Sequence, residues 1–308
     1  MNHKRKDNDF LLDYLDGKPL RKIADKSNCC AATALAKCNK QLRELPHNND
    51  VTKRFCDRFC GILVVDGKYI AVKGYEKKIP LLWGLDYLSH DIPVYRLAPS
   101  ESYQSWLKYF GYLKSMRYPM KMVVCDDNKN IQLAAKYIFP NVLIQLCHNH
   151  FMENIRRELH TRTDPTYQRF VWELKEQLFK RKIMIETFRK RSYKLFKKYA
   201  KDERIVKQLL KINEYTQELT AANYLRKAPR TTNIIESYNS HLQGRLKTIK
   251  GFQSFQSADQ WLNGYILRRR IKKFTDCCNK FRYLNGKNSL SKTCKRDFKK
   301  QGVLPLFT

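Results

Sequence analysis

Between Gly61 and Leu159, short β-branched runs alternate with helix-period stripes, and this alternation restricts the fold more than any other feature of the chain. "GILVVDGKYIAV", "PLLWGLDYL" and "IPVYRLA" are rich in Val, Ile, Leu and aromatic residues and read as strands. "SESYQSWLKYFGYLKS" then puts Tyr103, Trp106, Tyr109, Phe110 and Leu113 on one helical face. "MKMVVCDD" is a further buried strand, followed by a helix ("NKNIQLAAKYIF"), a strand ("NVLIQLC") and a helix ("HNHFMENIRREL"). Three strands followed by alternating helix and strand predict an α/β fold with mixed pairing in its sheet.

The flanking regions are helical. In residues 1–50, "DFLLDYLDG" stops at Gly17, "KPLRKIADKSN" carries Leu20, Ile23 and Ala24 at helical spacing, and "CCAATALAKCNKQLREL" aligns Leu35, Cys38 and Leu42. Helix, tight turn and helix at this length suggest a helix-turn-helix DNA-binding unit, although a plain three-helix bundle fits the same pattern. "PHNNDVTKR" is polar, and residues 51–60 are expected to be a linker. Residues 61–163 form the first part of the core, and 164–227 an all-helical insertion. Residues 228–275 return to the core, and 276–308 are a basic tail.

Charge narrows the partner. Lys and Arg total 61 against 29 Asp and Glu, a formal charge of +32. In a chain with 43% hydrophobic residues, enough for a real core, such an excess points to a polyanion, nucleic acid first. No apolar run is long enough to span a membrane, and "MNHKRKDNDFLLDYLDG" lacks an apolar signal region. The expectation is a prokaryotic cytoplasmic protein on the nucleoid, with no membrane partner. Ten scattered cysteines read as reduced thiols, Cys56 and Cys60 among them as structural residues.

Three acids stand out. Asp66 interrupts the apolar run "ILVVDGKYIAV", Asp126 directly follows the apolar run of "MKMVVCDD", and Glu236 is the one acid between Glu218 and Asp259, a stretch crowded with Lys and Arg. A carboxylate in or at the end of a buried strand is costly unless it is paired or metal-bound. Each acid also fits a simpler role. Asp66-Gly67 matches a hairpin turn, Asp126 or Asp127 a helix cap, and Glu236 a capping box with Asn233. In order and setting, however, they resemble the ribonuclease-H-like arrangement. There a first strand and a later central strand each carry an Asp, and a helix packed on the sheet brings a third acid alongside. Such a trio holds two divalent cations, Mg²⁺ or Mn²⁺, for phosphodiester chemistry.

Four segments together resemble the Mutator-like DDE transposases, including their bacterial insertion-sequence relatives. "ILVVDGKYI" is similar to the first-Asp strand, and "PMKMVVCDDNKNIQLA" to the second, with Asp126 at the motif position and Asp127 where a Gly is more usual. "NVLIQLCHNHFMENI" is similar to the family's Cys-x-x-His signature, filled by Cys147 and His150. "RTTNIIESYNSHLQGRLK" is similar to the third-acid segment, with Glu236 as its Glu. The resemblance implies Asp66, Asp126 and Glu236 as catalytic metal ligands, with a helical insertion filling the long gap between the second and third. It places Cys147 and His150 near the metal site, with His148 as an alternative to His150, while Cys147 also fits a buried strand-end thiol. It further implies binding to inverted-repeat ends, cleavage and strand transfer into target DNA, and a homo-oligomer on DNA. A catalytically inactive DNA-binding relative, or a nuclease of the same fold without strand transfer, are the competing expectations. Arg230, Arg245, Lys247, Arg268, Arg269 and Arg270 are the candidate DNA-contacting cations, the last three in the run that ends "GFQSFQSADQWLNGYILRRRIKKF".

Overall fold

Four helices precede the sheet in the computed structural model, which describes residues 8–249 and 251–295. They are α1 (Asn8–Leu15), α2 (Leu20–Asp25), α3 (Ala31–Glu44) and α4 (Asn48–Phe55). The chain leaves α1 through Gly17, whose φ of +89° suits a residue without a Cβ. The fourth helix corrects the linker expectation, because α4 covers residues 51–55 of the 51–60 stretch expected to be a linker. Its polar residues face inward: Asn48 and Asn49 are buried, and Asn49 Nδ2 donates to the Tyr95 carbonyl at 3.2 Å. A helix that buries amides alongside the single aliphatic side chain of Val51 leaves no apolar stripe in the sequence.

The sheet contains β1 (Ile62–Ile70), β2 (Ile79–Asp86) and β3 (Tyr95–Leu97). After α5 (Tyr103–Ser115) come β4 (Met122–Cys125), α6 (Lys129–Ile138), β5 (Leu143–Leu146) and α7 (His148–Glu158). The strand order is β3-β2-β1-β4-β5, with β1, β2 and β3 antiparallel in sequence and β1, β4 and β5 parallel. This is the mixed α/β sheet expected from the strand–helix alternation. Period-two alternation sorts its side chains into two cores. Ile62, Val64, Leu81, Trp83 and Val124 face one of them, while Leu63, Val65, Leu82, Val123 and Cys125 face the other.

The helical insertion packs on the second face. It comprises α8 (Gln168–Leu174), a π-helical turn over Lys175–Phe179, α9 (Ile185–Lys198), α10 (Glu203–Glu214) and α11 (Thr216–Thr220). Leu174, Leu178, Phe188, Leu195 and Ile212 point into that core. On the first face lie α1 to α4 and α12 (Asn233–Ile249), α13 (Phe255–Ile271) and α14 (Ser289–Thr293). The N-terminal helices are therefore welded to the sheet's own core. A Cβ at Gly264 of α13 would lie 2.4 Å from Leu42 Cδ2 of α3, so α13 and α3 touch backbone to side chain at that glycine.

The Arg-rich run ending α13 departs from expectation. Arg270 is fully buried, and Nε and Nη2 grip Asp91 at 2.8 and 2.7 Å. Nη1 donates to Asn48 Oδ1 and Thr52 Oγ1, and Ser289 Oγ donates to Asp91 Oδ1 at 3.0 Å. A guanidinium with its donors used inside the fold contacts no phosphate, so Arg270 is a structural clamp joining α4, α13 and α14. Of the basic tail expected at 276–308, residues 296–308 lie outside the described residues, as do residues 1–7 of the N-terminal unit.

Candidate active site

Parallel pairing of β1 with β4 aligns Ile62, Leu63 and Val64 with Met122, Val123 and Val124. The same offset carries Asp66 alongside Asp126, the residue directly after β4. Asp66 lies within β1, opposite Trp83 of β2, so Asp66-Gly67 is strand and not a hairpin turn. Asn128 caps α6 by accepting from the Asn130 N–H, which leaves neither Asp126 nor Asp127 in that role. Asp127 is taken up by Asn154, whose Nδ2 donates to it at 2.7 Å, and Asp126 is the one whose charge acts on Asp66.

The electrostatics of this pair are unusual for a chain so basic. Burial pushes the Asp66 carboxyl up to about 6, and the neighbouring charge of Asp126 adds to the shift. The Gly67 N–H, 2.8 Å from Oδ1, and the His150 charge oppose it only in part. Asp126 is raised as well, first by burial and then by Asp127, against the Asn128 N–H and His150. No Lys or Arg is among the groups acting most strongly on either acid. Two carboxylates held together in partial burial, with His150 as the basic group nearby and no Lys or Arg among the strongest influences, suit a hard divalent ion.

Glu236 reaches the same rim from the first turn of α12, the helix docked through Ile235, Tyr238 and Leu242. Its Oε1 accepts from the Thr232 hydroxyl at 2.7 Å and lies 3.7 Å from His150 Nε2. Asn233 instead accepts from Asn149, so a capping box with Asn233 is not what holds Glu236. Among the described residues, the set of three metal-capable side chains whose donor atoms lie within 4.8 Å of one another is Cys147, His150 and Glu236. Asp66, Asp126 and Glu236 do not form such a set.

His150 is the common neighbour of all three acids. Its ring is raised to about 9, chiefly by its bond to Cys147 and against burial, with Glu236 and Asp126 contributing. Burial alone would raise the Cys147 thiol, but His150 and Thr232 lower it. His148 is excluded from this role: it is buried, and its Nε2 lies 2.7 Å from the Leu219 carbonyl. Among the described residues, Cys56 and Cys60 belong to no metal-capable grouping either. Cys56 Sγ lies 3.8 Å from Cys294 Sγ, beside Arg270.

Two residues at the site were missed in the sequence. Glu101, just before α5, accepts from the Tyr69 hydroxyl at 2.7 Å and from Asn128 Nδ2 at 3.0 Å. A Cβ at position 67 would lie 2.7 Å from Glu101 Oε2, which explains the glycine beside Asp66. Asn239 donates to Asp66 Oδ2 at 2.6 Å. Neither carries a local signal, because each acts across elements far apart in the chain.

A family profile described as "Transposase, Mutator family" matches residues 35–273. The chain belongs to the Mutator family of transposases. Two curated relatives carry the description "Transposase for insertion sequence element IS256 in transposon Tn4001", one from Staphylococcus aureus and one from Enterococcus faecalis (strain ATCC 700802 / V583). Each is 24% identical over 181 residues, covering 56% of this chain and 44% of the relative, so the match spans less than half of either relative. Among solved structures, "Mos1 transposase paired-end complex with left transposon end" is similar at 15% identity, covering 72% of this chain and 80% of that one, with a TM-score of 0.21.

In this Mutator-family chain, the candidate DNA-contacting cations divide by environment. Lys247 is exposed. Arg268 is bound to Asp16 at 2.9 Å, and Arg269 lies over the Tyr238 ring at 4.6 Å. Arg245 packs over Gly17 and, with Arg268, Arg269, Lys272 and His241, lines a small pocket. Arg230 donates to the Phe179 and Lys180 carbonyls. It also lines a cleft of about 460 Å³ with His150, Glu236, Arg156 and Lys175. One wall of this cleft is the π-helical turn of the insertion. No helix among the described residues is long and apolar enough to cross a membrane.

Proposed function

We propose that this Mutator-family chain is a DDE-type transposase that binds terminal inverted repeats and catalyses metal-dependent DNA strand cleavage and strand transfer. Asp66, Asp126 and Glu236 are its catalytic metal ligands on a ribonuclease-H-like core. The carrying observation is the Asp66–Asp126 pair, two partly buried carboxylates brought together by the parallel β1–β4 pairing, with His150 but no Lys or Arg among the groups acting most strongly on them. Hard oxygen donors with raised proton affinity fit Mg²⁺ or Mn²⁺, and Asp66 and Asp126, with Glu236, would hold two such ions. When bound, such ions supply Lewis-acid activation of water or a 3′-hydroxyl and stabilise the leaving oxygen of the phosphodiester.

The chain's own groups do the rest. The Gly67 N–H fixes one oxygen of Asp66, and the Asn128 N–H, 3.2 Å from Oδ1, orients Asp126. His150, raised toward its charged form, lies 3.7 Å from Glu236 Oε1 and acts on both Asp66 and Asp126, and its charge would favour an approaching phosphate. Arg156, Lys175 and Arg230 give the adjoining cleft a basic lining for a DNA strand. We assign the N-terminal unit of residues 1–50 to end recognition, with the exposed face of α3 (Lys37, Lys40, Arg43) as the DNA-facing surface, and the helical insertion to one wall of the strand path. Joining two ends calls for a homo-oligomer on DNA.

The test is incubation of the purified chain with Mg²⁺ and a DNA carrying the ends of the element that encodes it. Wild type nicks the ends and joins them to a target. Asp66→Asn, Asp126→Asn and Glu236→Gln each abolish both steps while DNA binding persists. Cleavage without joining would favour a nuclease instead, and full activity in Glu236→Gln would remove Glu236 from the site.

A further inference from the structure

Asn239 bridges two fixed groups. Its Nδ2 donates to Asp66 Oδ2 at 2.6 Å, and its Oδ1 accepts from the indole Nε1 of Trp83 at 3.1 Å. Trp83 is fully buried and faces Asp66 across the β1–β2 register, so its N–H points from a rigid place. An indole nitrogen only donates. The amide of Asn239 therefore has one orientation compatible with both neighbours: oxygen toward Trp83 and NH₂ toward Asp66.

We propose that Asn239 is a positioning residue, oriented by Trp83, that fixes the Asp66 carboxylate for cation binding and sets the distance from Asp66 to Glu236. This rests on the acid-site reading above. Three features support it. Asn239 sits one turn beyond Glu236 on α12, so both lie on the same side of that helix. Its bond to β1 pins this side of the helix over the first acid. The donor is also neutral: a Lys or Arg here would compensate Asp66 and compete with a metal, whereas an amide orients the oxygen and leaves its charge available. With the Gly67 N–H on Oδ1 and Asn239 on Oδ2, rotation of the Asp66 carboxylate is stopped at both ends. Such outer partners of metal-ligating carboxylates commonly contribute about 10- to 100-fold in metal affinity.

The test is Mn²⁺ titration of the full chain, followed by electron paramagnetic resonance of the free ion, together with the Mn²⁺ dependence of end cleavage. Asn239→Ala weakens Mn²⁺ binding by about 10- to 100-fold and raises the Mn²⁺ needed for half-maximal cleavage by the same factor. Trp83→Phe keeps the ring but loses the N–H, and shifts both readings in the same direction by less. In the double variant, Trp83→Phe adds nothing to Asn239→Ala, because the indole acts through the amide. If Asn239→Ala does not fold, the shift in Trp83→Phe decides the question. Unchanged Mn²⁺ affinity in the folded variants, or losses that simply multiply, would overturn the positioning role alone. Absence of Mn²⁺ binding by wild type would overturn the acid-site reading and this inference together.

Discussion

The molecule buries carboxylates in two contrasting ways. Asp91 is fully buried and meets a bidentate Arg270, with hydroxyls from Ser289 and Thr293 filling its remaining positions. Asp66 and Asp126 are also drawn out of water, yet they face each other, and their donors are backbone N–H groups and one amide. The first arrangement is self-sufficient and joins α4, α13 and α14. The second, with His150 as its nearby basic group, leaves charge only partly compensated at the rim of a sheet, at a cost to the fold that a divalent cation would relieve. Within one protein, the acid that is already paired does structural work, and the acid left unpaired is the one available to a ligand.

The largest effect should come from removing the unpaired charge. Asp126→Asn is expected to lower end cleavage by at least about 10³-fold, the loss of several kcal/mol of transition-state stabilisation, while the protein stays folded. Next comes the paired site. Arg270→Met strands Asp91 in the core and should destabilise the fold by about 3–5 kcal/mol by denaturant titration. Its DNA affinity, measured on folded protein, should be unchanged. A selective loss of DNA binding would instead return Arg270 to the interface.

Third is pH dependence at Asp66. Its folded carboxyl titrates near 6, against an unperturbed value of 3.8, so between these pH values the folded state holds the extra proton. Stability therefore falls as pH rises from about 4 to about 6, by about 3 kcal/mol relative to Asp66→Asn. Mg²⁺ should recover part of this loss above pH 6 in wild type but not in Asp66→Asn, as a ligand bound only by the folded state does. Parallel pH curves for the two proteins would contradict the raised carboxyl. The smallest change concerns Gly264→Ala, where the new Cβ crowds Leu42; a cost of about 1–3 kcal/mol is expected if the N-terminal helices and α13 share one core, and none if they are separable.

The elements that were legible in the sequence are those whose burial follows a simple period. β1, β4 and β5 stand out as apolar runs, α5 as an aromatic stripe, and Asp66 and Asp126 as acids that such runs do not call for. What escaped notice depends on partners far away in the chain. The α4 helix buries side-chain amides whose partners are carbonyls at residues 92–95, and its Asn48 backbone N–H donates to Asn263 Oδ1. The three arginines of α13 are chemically identical in sequence, and α13 is buried on most sides, so no stripe separates Arg270 from Arg268. Asn239 and Glu101 acquire meaning only when α12 and the loop before α5 meet β1. The Cys147–His150 pair was visible as a motif, but its closeness to Glu236 comes from the Thr232 hydroxyl set among the three.

The most direct measurement is anomalous diffraction from crystals of the chain with end DNA and Mn²⁺. The unpaired-acid reading predicts Mn²⁺ peaks about 2.1 Å from carboxylate oxygens of Asp66 and Asp126, with Glu236 joining them. Strong peaks confined to Cys147 and His150, with the Asp66 and Asp126 oxygens bare, would contradict it.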